Sequence, residues 1–270
     1  MILCSSSTCT ADNFETAMGK ISAAGFKDID LLAINTWAHI NPAVLAVDYD
    51  KIVANAESVL KKNNLTMRAM NIGLSKQMHD RNKESIKSNL KELDALCKFM
   101  NYFGVKTAAL QPLQKDSSRN PDDVLKDSVD SLEEYYECAG KYGISLGLEL
   151  HVNSPFESLE AARYVYERIP DATIVFDPTH YISAGMKLED SEFVIDKAVH
   201  VHIRDAGPGQ LQAKLGEGTV DVEWIVGKLT ARGYKGHYSI EYLHNDDWDA
   251  LTEARKLYDK LDKLVGLMGK

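Results

Sequence analysis

Short runs rich in β-branched residues alternate along the chain with amphipathic stretches whose apolar positions recur at the helical period. The runs predict strands at Ile2 to Ser6, Asp28 to Leu32, Thr66 to Ile72, Thr107 to Leu110, Ser145 to Leu150, Thr173 to Phe176, Val199 to Ile203 and Tyr238 to Glu241. The periodic stretches predict helices at Asn13 to Ala24, Tyr49 to Asn63, Asn82 to Phe103, Asp122 to Tyr142, Phe156 to Arg168, Glu189 to Lys197, Val222 to Arg232 and Asp247 to Leu267. Several helices end in a glycine followed by an apolar residue (Gly25-Phe26, Gly104-Val105, Gly143-Ile144, Gly233-Tyr234), which suits a left-handed stop with the apolar side chain folded back. Pro121-Asp122-Asp123 and Ser154-Pro155 mark helix starts.

Eight strands alternating with eight helices fit either an open doubly wound sheet or a closed barrel. After the first strand the chain reads Cys4-Ser5-Ser6-Ser7-Thr8, with none of the glycines that cradle a dinucleotide. Ionisable residues gather instead at the C-terminal ends of consecutive strands, where a barrel builds its active site. The expected fold is therefore α/β: a single (β/α)8 TIM barrel, parallel and eight-stranded with outer helices, over residues 1–270 with no linker.

Composition narrows the function. The chain has 270 residues, 44% hydrophobic and 26% charged, which excludes disorder and repeat arrays. Its net charge of −9, with no basic run longer than Lys61-Lys62, argues against nucleic acid as a partner. No run of 18 apolar residues and no basic leader is present, so neither a membrane partner nor a signal peptide is expected, and the expected location is the cytoplasm. Cys4, Cys9, Cys97 and Cys138 stand singly and read as reduced thiols.

The last four strand ends carry Glu149, Asp177, His202 and Glu241, spaced 28, 25 and 39 residues apart, about one βα unit each. If the barrel closes, these side chains converge above its mouth. Three carboxylates and an imidazole suit one divalent ion, Mn2+ above all, with Co2+, Mg2+ or Zn2+ as alternatives. Crowded carboxylates repel one another unless a cation holds them. His151 projects opposite to Glu149 along a strand but enters the pocket if the chain turns; it either contacts substrate or supports the site. Arg204 either pairs with Asp205 or neutralises substrate oxygens. Trp37 and His39, after the second strand, lie on the same rim, where an aromatic plate beside a sugar ring is reasonable. Asn71 and Gln111, after the third and fourth strands, are placed to hydrogen-bond hydroxyls.

The second half resembles the xylose-isomerase-like TIM-barrel superfamily of sugar and sugar-phosphate isomerases and epimerases. The matching pieces are Gly147-Leu148-Glu149-Leu150-His151, Asp177-Pro178-Thr179-His180, His202-Ile203-Arg204-Asp205, Gly216 to Asp221 and Gly233 to Glu241. The resemblance implies that Glu149, Asp177, His202 and Glu241 hold the ion, that Glu149 and Glu241 double as acid and base, and that His180 contacts a substrate oxygen or shuttles a proton. The implied chemistry removes a proton beside a carbonyl to give a metal-stabilised enediolate. The implied partner is a small carbohydrate, a ketose, keto-sugar or sugar phosphate; a homo-oligomer is compatible. Two positions depart from the ketose 3-epimerases of the superfamily. Pro208 stands where they carry an arginine, and the acid after the first metal glutamate, Glu157, comes two residues late. The His-x-Arg-Asp pattern is closer to inosose-dehydratase-like members, so a lyase acting on a keto-sugar or keto-polyol is the alternative. The acidic balance sets the chain apart from the branch that cleaves DNA.

Overall fold

The computed structural model describes residues 1–268. Its strands are β1 (Ile2–Ser5), β2 (Asp28–Ile34), the two-residue β3 (Ala38–His39), β4 (Thr66–Gly73), β5 (Thr107–Leu110) and β6 (Ser145–Glu149). They continue as β7 (Ile174–Phe176), β8 (Ala198–Ile203), β9 (Asp205–Gly207), β10 (Gln210–Ala213) and β11 (Tyr238–Ile240). Eight of them form a parallel sheet in the order β1-β11-β8-β7-β6-β5-β4-β2, and pairing of β1 with β2 closes the barrel. The expected (β/α)8 barrel therefore forms, with all eight predicted strands in it. β3 pairs antiparallel with the end of β2, and β9 and β10 make a separate hairpin.

The helices are α1 (Phe14–Ala23), α2 (Pro42–Leu45), α3 (Tyr49–Lys62), α4 (Lys83–Tyr102), α5 (Pro121–Gly140), α6 (Leu159–Arg168), α7 (Pro178–Ser183), α8 (Val222–Ala231) and α9 (Ala250–Met268). Asn13, Asn82, Asn120, Ser158 and Asp221 cap five of them by accepting a backbone N–H of the first turn. With Ser158 as its cap, α6 begins at Leu159, three residues later than the predicted start at Phe156, leaving 156–158 in the loop. The glycine stops behave as the sequence suggests: Gly104 and Gly143 take φ of 72° and 63°. The residues after them, Val105 and Ile144, bond back to Met100 and Ala139. The helix predicted at Glu189 to Lys197 is instead 3-10 over Leu188–Lys197. There the Ser191 hydroxyl takes the Leu188 carbonyl at 2.6 Å, competing with the backbone.

Strand alternation sorts the residues. Cys4, Leu31, Ile72, Leu148, Ile203 and Ile240 face outward into the main apolar core beneath the helices. The lumen receives Asp30, Asn71, Glu149, His200, His202, Ser239 and Glu241, every one buried. Ala69, Ala109 and Gly147 share that inner face on β4, β5 and β6, so the room taken in other barrels by bulky aliphatics goes here to polar groups.

Candidate metal centre and pocket

β6, β7, β8 and β11 end side by side on one rim, and each delivers one predicted ligand. Donor atoms of Glu149, Asp177, His202 and Glu241 lie within 4.8 Å of one another, all buried. His202 Nδ1 is 2.7 Å from Glu149 Oε1 and 3.4 Å from Glu241 Oε2. Arg204, just past the end of β8, donates from one Nη to Glu241 Oε2 at 2.6 Å and lies 3.5 Å from Asp177 Oδ2. Asn71 donates to the other Glu241 oxygen at 2.6 Å.

Burial sets the titration of these groups. Burial alone would raise Glu149, but the hydrogen bond and charge of His202 outweigh it and hold the carboxyl well below its usual range. Glu241 is pushed up to about 7, first by burial and then by the Glu149 charge, against the pull of His202 and Arg204. For His202, burial would lower the imidazole, yet Glu241, Asp30 and Glu149 together lift it well above its ordinary value.

Two buried oxygens are left over. Glu149 Oε2 and Asp177 Oδ2 have no hydrogen-bond partner, although Asp177 has long contacts to His180 at 3.4 Å and Arg204 at 3.5 Å. The other Asp177 oxygen accepts from Thr179 N at 2.8 Å, which starts α7 and fixes the carboxylate. Buried carboxylate oxygens without donors are costly, and a hard divalent cation is the partner that this set of three carboxylates and one imidazole fits.

Above the cluster opens a cavity of about 340 Å3, lined among others by Trp37, Gln111, His151, His180, Arg204 and Glu241. The His151 and His180 rings lie 4.0 Å apart between centroids. Burial lowers His180 to about 3, so it enters as a neutral imidazole. Leu113 and Asn153 also line the wall with left-handed φ of 60°, and Thr36, beside Trp37, has φ of 65°. The geometry turns two predicted substrate contacts elsewhere. His39 lies outside this cavity, its Nε2 donating to the Cys9 carbonyl at 3.2 Å and its Nδ1 paired with Ser6 Oγ at 3.0 Å. Asn71 donates its amide N–H to Glu241 and is not among the residues that line the cavity.

Sequence reasoning missed Asp30 and His200, and it offered Asp205 as a partner of Arg204, whose guanidinium pairs instead with Glu241. Asp30 and His200 lie in the lumen beneath the cluster. Asp205 gathers the backbone N–H groups of Ala206, Gly216, Gly218 and Val220, which folds the 205–221 loop around one carboxylate. That loop returns Leu211, whose carbonyl accepts from Arg204 Nε at 3.2 Å. A wider groove of about 600 Å3 between the starts of α5 and α6 includes none of the cluster.

Residues 18–264 match the model of a family described as xylose isomerase-like TIM barrel. The chain belongs to that family. An uncharacterized protein of Methanocaldococcus jannaschii is 31% identical to this family member over 147 residues, 50% of each chain, so the match spans about half the length of that relative. Among solved structures, an IolI protein with a bound zinc atom superposes with a TM-score of 0.74 at 19% identity, covering 99% of both chains. The 3-keto-D-glucoside 4-epimerase of E. coli gives 0.73 at 19% identity, over 97% of this chain and 98% of the other. At such identities these likenesses speak for the fold.

Proposed function

We propose that this family member is a divalent-metal-dependent sugar isomerase or epimerase, acting on a ketose, keto-sugar or sugar phosphate by proton transfer through an enediolate. One observation carries the reading: two donorless buried oxygens, Glu149 Oε2 and Asp177 Oδ2, within a four-residue set that has the ligand chemistry of a hard cation. Glu149, Asp177, His202 and Glu241 would hold the ion, with Mn2+ best suited. When bound, it supplies Lewis acidity toward oxygens that gain negative charge.

The chain's own residues move the proton. A carboxylate of the Glu149 and Glu241 pair takes it from the carbon beside the carbonyl, and the other glutamate returns one to the opposite face or the adjacent carbon. Asn71 and Arg204 hold the two oxygens of Glu241, which keeps that carboxylate aimed. His180, His151, Gln111 and Trp37 line the space where hydroxyls would sit. No helix of the described residues is long and apolar enough to cross a membrane. The rest of the reading is one barrel domain working in the cytoplasm on a small carbohydrate, without nucleic acid, and able to self-associate.

Incubation with candidate ketoses in deuterated water tests this. Deuterium should appear at the carbon beside the carbonyl, in product or recovered substrate. Turnover with neither solvent label nor a primary isotope effect on α-deuterated substrate would overturn it. Pro208 and the late Glu157 weigh against a free-ketose 3-epimerase, and the His202-Ile203-Arg204-Asp205 pattern favours a second reading, a lyase at the same site, which label accompanied by loss of water or carbon dioxide would identify.

A further inference from the structure

Beneath the four-residue cluster stands a fifth carboxylate. Asp30 reaches from β2 across the lumen, and its Oδ2 lies 2.8 Å from His200 Nε2 and 3.2 Å from His202 Nε2. All three side chains are completely buried. The second oxygen, Asp30 Oδ1, has no partner, nor has His200 Nδ1. A charge in this position is expensive to bury and adds nothing to apolar packing, so its presence calls for a role.

His202 is gripped at both ends, with Nδ1 toward Glu149 and Glu241 and Nε2 toward Asp30. Since a carboxylate has no proton to give, the bond to Asp30 requires the N–H on Nε2. The nitrogen left for a cation is then Nδ1, which would give up the proton it shares with Glu149 Oε1, 2.7 Å away, to bind one. The trio of Asp30, His200 and His202 is not a second ion site. One oxygen serves both Nε2 atoms at hydrogen-bond distance, and each nitrogen needs its proton to make that bond.

We propose that Asp30 is a positioning residue of the metal centre, fixing the ring orientation and tautomer of His202 and strengthening Nδ1 as a donor through its negative charge. The inference rests on the proposed metal-dependent reading and adds to it a residue outside the ligand set. Partners of this kind typically change metal affinity by about 10- to 100-fold.

The test compares Asp30→Asn with His200→Gln and wild type in the full-length protein. Both variants disturb the same buried chain, but only the first removes the charge facing His202. Binding of Mn2+ and Co2+ is measured by equilibrium dialysis, the Co2+ visible spectrum reports ligand geometry, and thermal melts of ion-free protein report folding. Asp30→Asn should bind both ions about 10-fold or more weakly, with a shifted Co2+ spectrum. His200→Gln should bind as wild type does even if its melting temperature falls. Unchanged affinity and spectrum in Asp30→Asn would overturn the positioning role, and so would equal losses in both variants, which mark a purely structural part. A wild type that binds no divalent ion overturns the proposed function and this inference together.

Discussion

Replacing Asp205 with asparagine removes almost no volume and is expected to open a whole loop. In the native protein Asp205 Oδ2 accepts from Gly216 N at 2.7 Å and Gly218 N at 3.1 Å, while Oδ1 accepts from Ala206 N at 2.9 Å and Val220 N at 3.3 Å. An amide NH2 in either position faces two backbone donors, so two charge-assisted bonds are lost whichever way the side chain flips. At about 1.5–3 kcal/mol each, less what water restores once the loop turns outward, the local cost is about 3 kcal/mol. The loss should appear as local opening of residues 205–221 rather than unfolding of the barrel, because only the hairpin and its return depend on that carboxylate. About 3 kcal/mol corresponds to roughly a hundredfold faster amide exchange. Hydrogen exchange read by mass spectrometry should show this acceleration in peptides covering 205–221 and leave β6 and β7 unchanged. On the proposed function, turnover should fall as well, since Arg204 loses the Leu211 carbonyl that holds its Nε. Wild-type exchange rates across 205–221 in Asp205→Asn would refute the argument.

Four further outcomes are expected. His202→Ala should lose bound divalent ion when protein purified without chelator is analysed for metal; equal occupancy would remove His202 from the ligand set. Glu149→Gln and Glu241→Gln, compared after metal is restored, should each lower kcat by about 10²- to 10⁴-fold while staying folded; near-native turnover would end the acid and base roles. A methyl group at residue 147 would stand 2.8 Å from the Ile174 carbonyl carbon and 2.9 Å from its oxygen. Gly147→Ala should therefore push β6 from β7 and cost about 1–3 kcal/mol in urea unfolding. His237 is held down to about 4, chiefly by burial, so when folded it stays neutral down to about that pH, whereas when unfolded it takes a proton below about pH 6.5. Stability should be full above about pH 6.5 and decline as pH falls from there toward 4, by on the order of 1 kcal/mol after allowing for its partial exposure. His237→Gln should flatten that slope in melts taken across the range.

The barrel was legible because each strand is a compact β-branched run and each helix carries its own stop. The convergence of Glu149, Asp177, His202 and Glu241 was legible because each stands at or beside the end of a run, and strand ends share a rim only if the sheet closes. Asp30 escaped for the converse reason. In Asp28-Ile29-Asp30-Leu31-Leu32 the alternating acids look like the wet face of a strand, and only closure turns that face into an interior. His200 left a clue in His200-Val201-His202, since alternate residues share a face and an imidazole one layer below the mouth needs a partner. The β9–β10 hairpin and α7 are too short for periodicity to register, and what builds the 205–221 loop is contacts to a single carboxylate rather than any pattern along the chain. His39 and Asn71 were placed on the right rim. Their hydrogen-bond partners, Ser6, Cys9 and Glu241, are distant in sequence and invisible to spacing.

The left-handed residues around the mouth bear on how such a barrel would be engineered. Thr36, Leu113 and Asn153 hold backbone angles that glycine takes freely and a β-branched residue takes at a penalty of about 1–3 kcal/mol. A laboratory selection for heat resistance would find glycine at 36 or 113 early, because the released strain exceeds the added chain entropy. The same exchange would let Trp37 swing on its turn and let the Leu113 side of the wall adopt several shapes. Hardiness gained there would be lost as selectivity. Libraries meant to improve both should leave these three positions fixed and look for stabilising changes on the exposed faces of the outer helices.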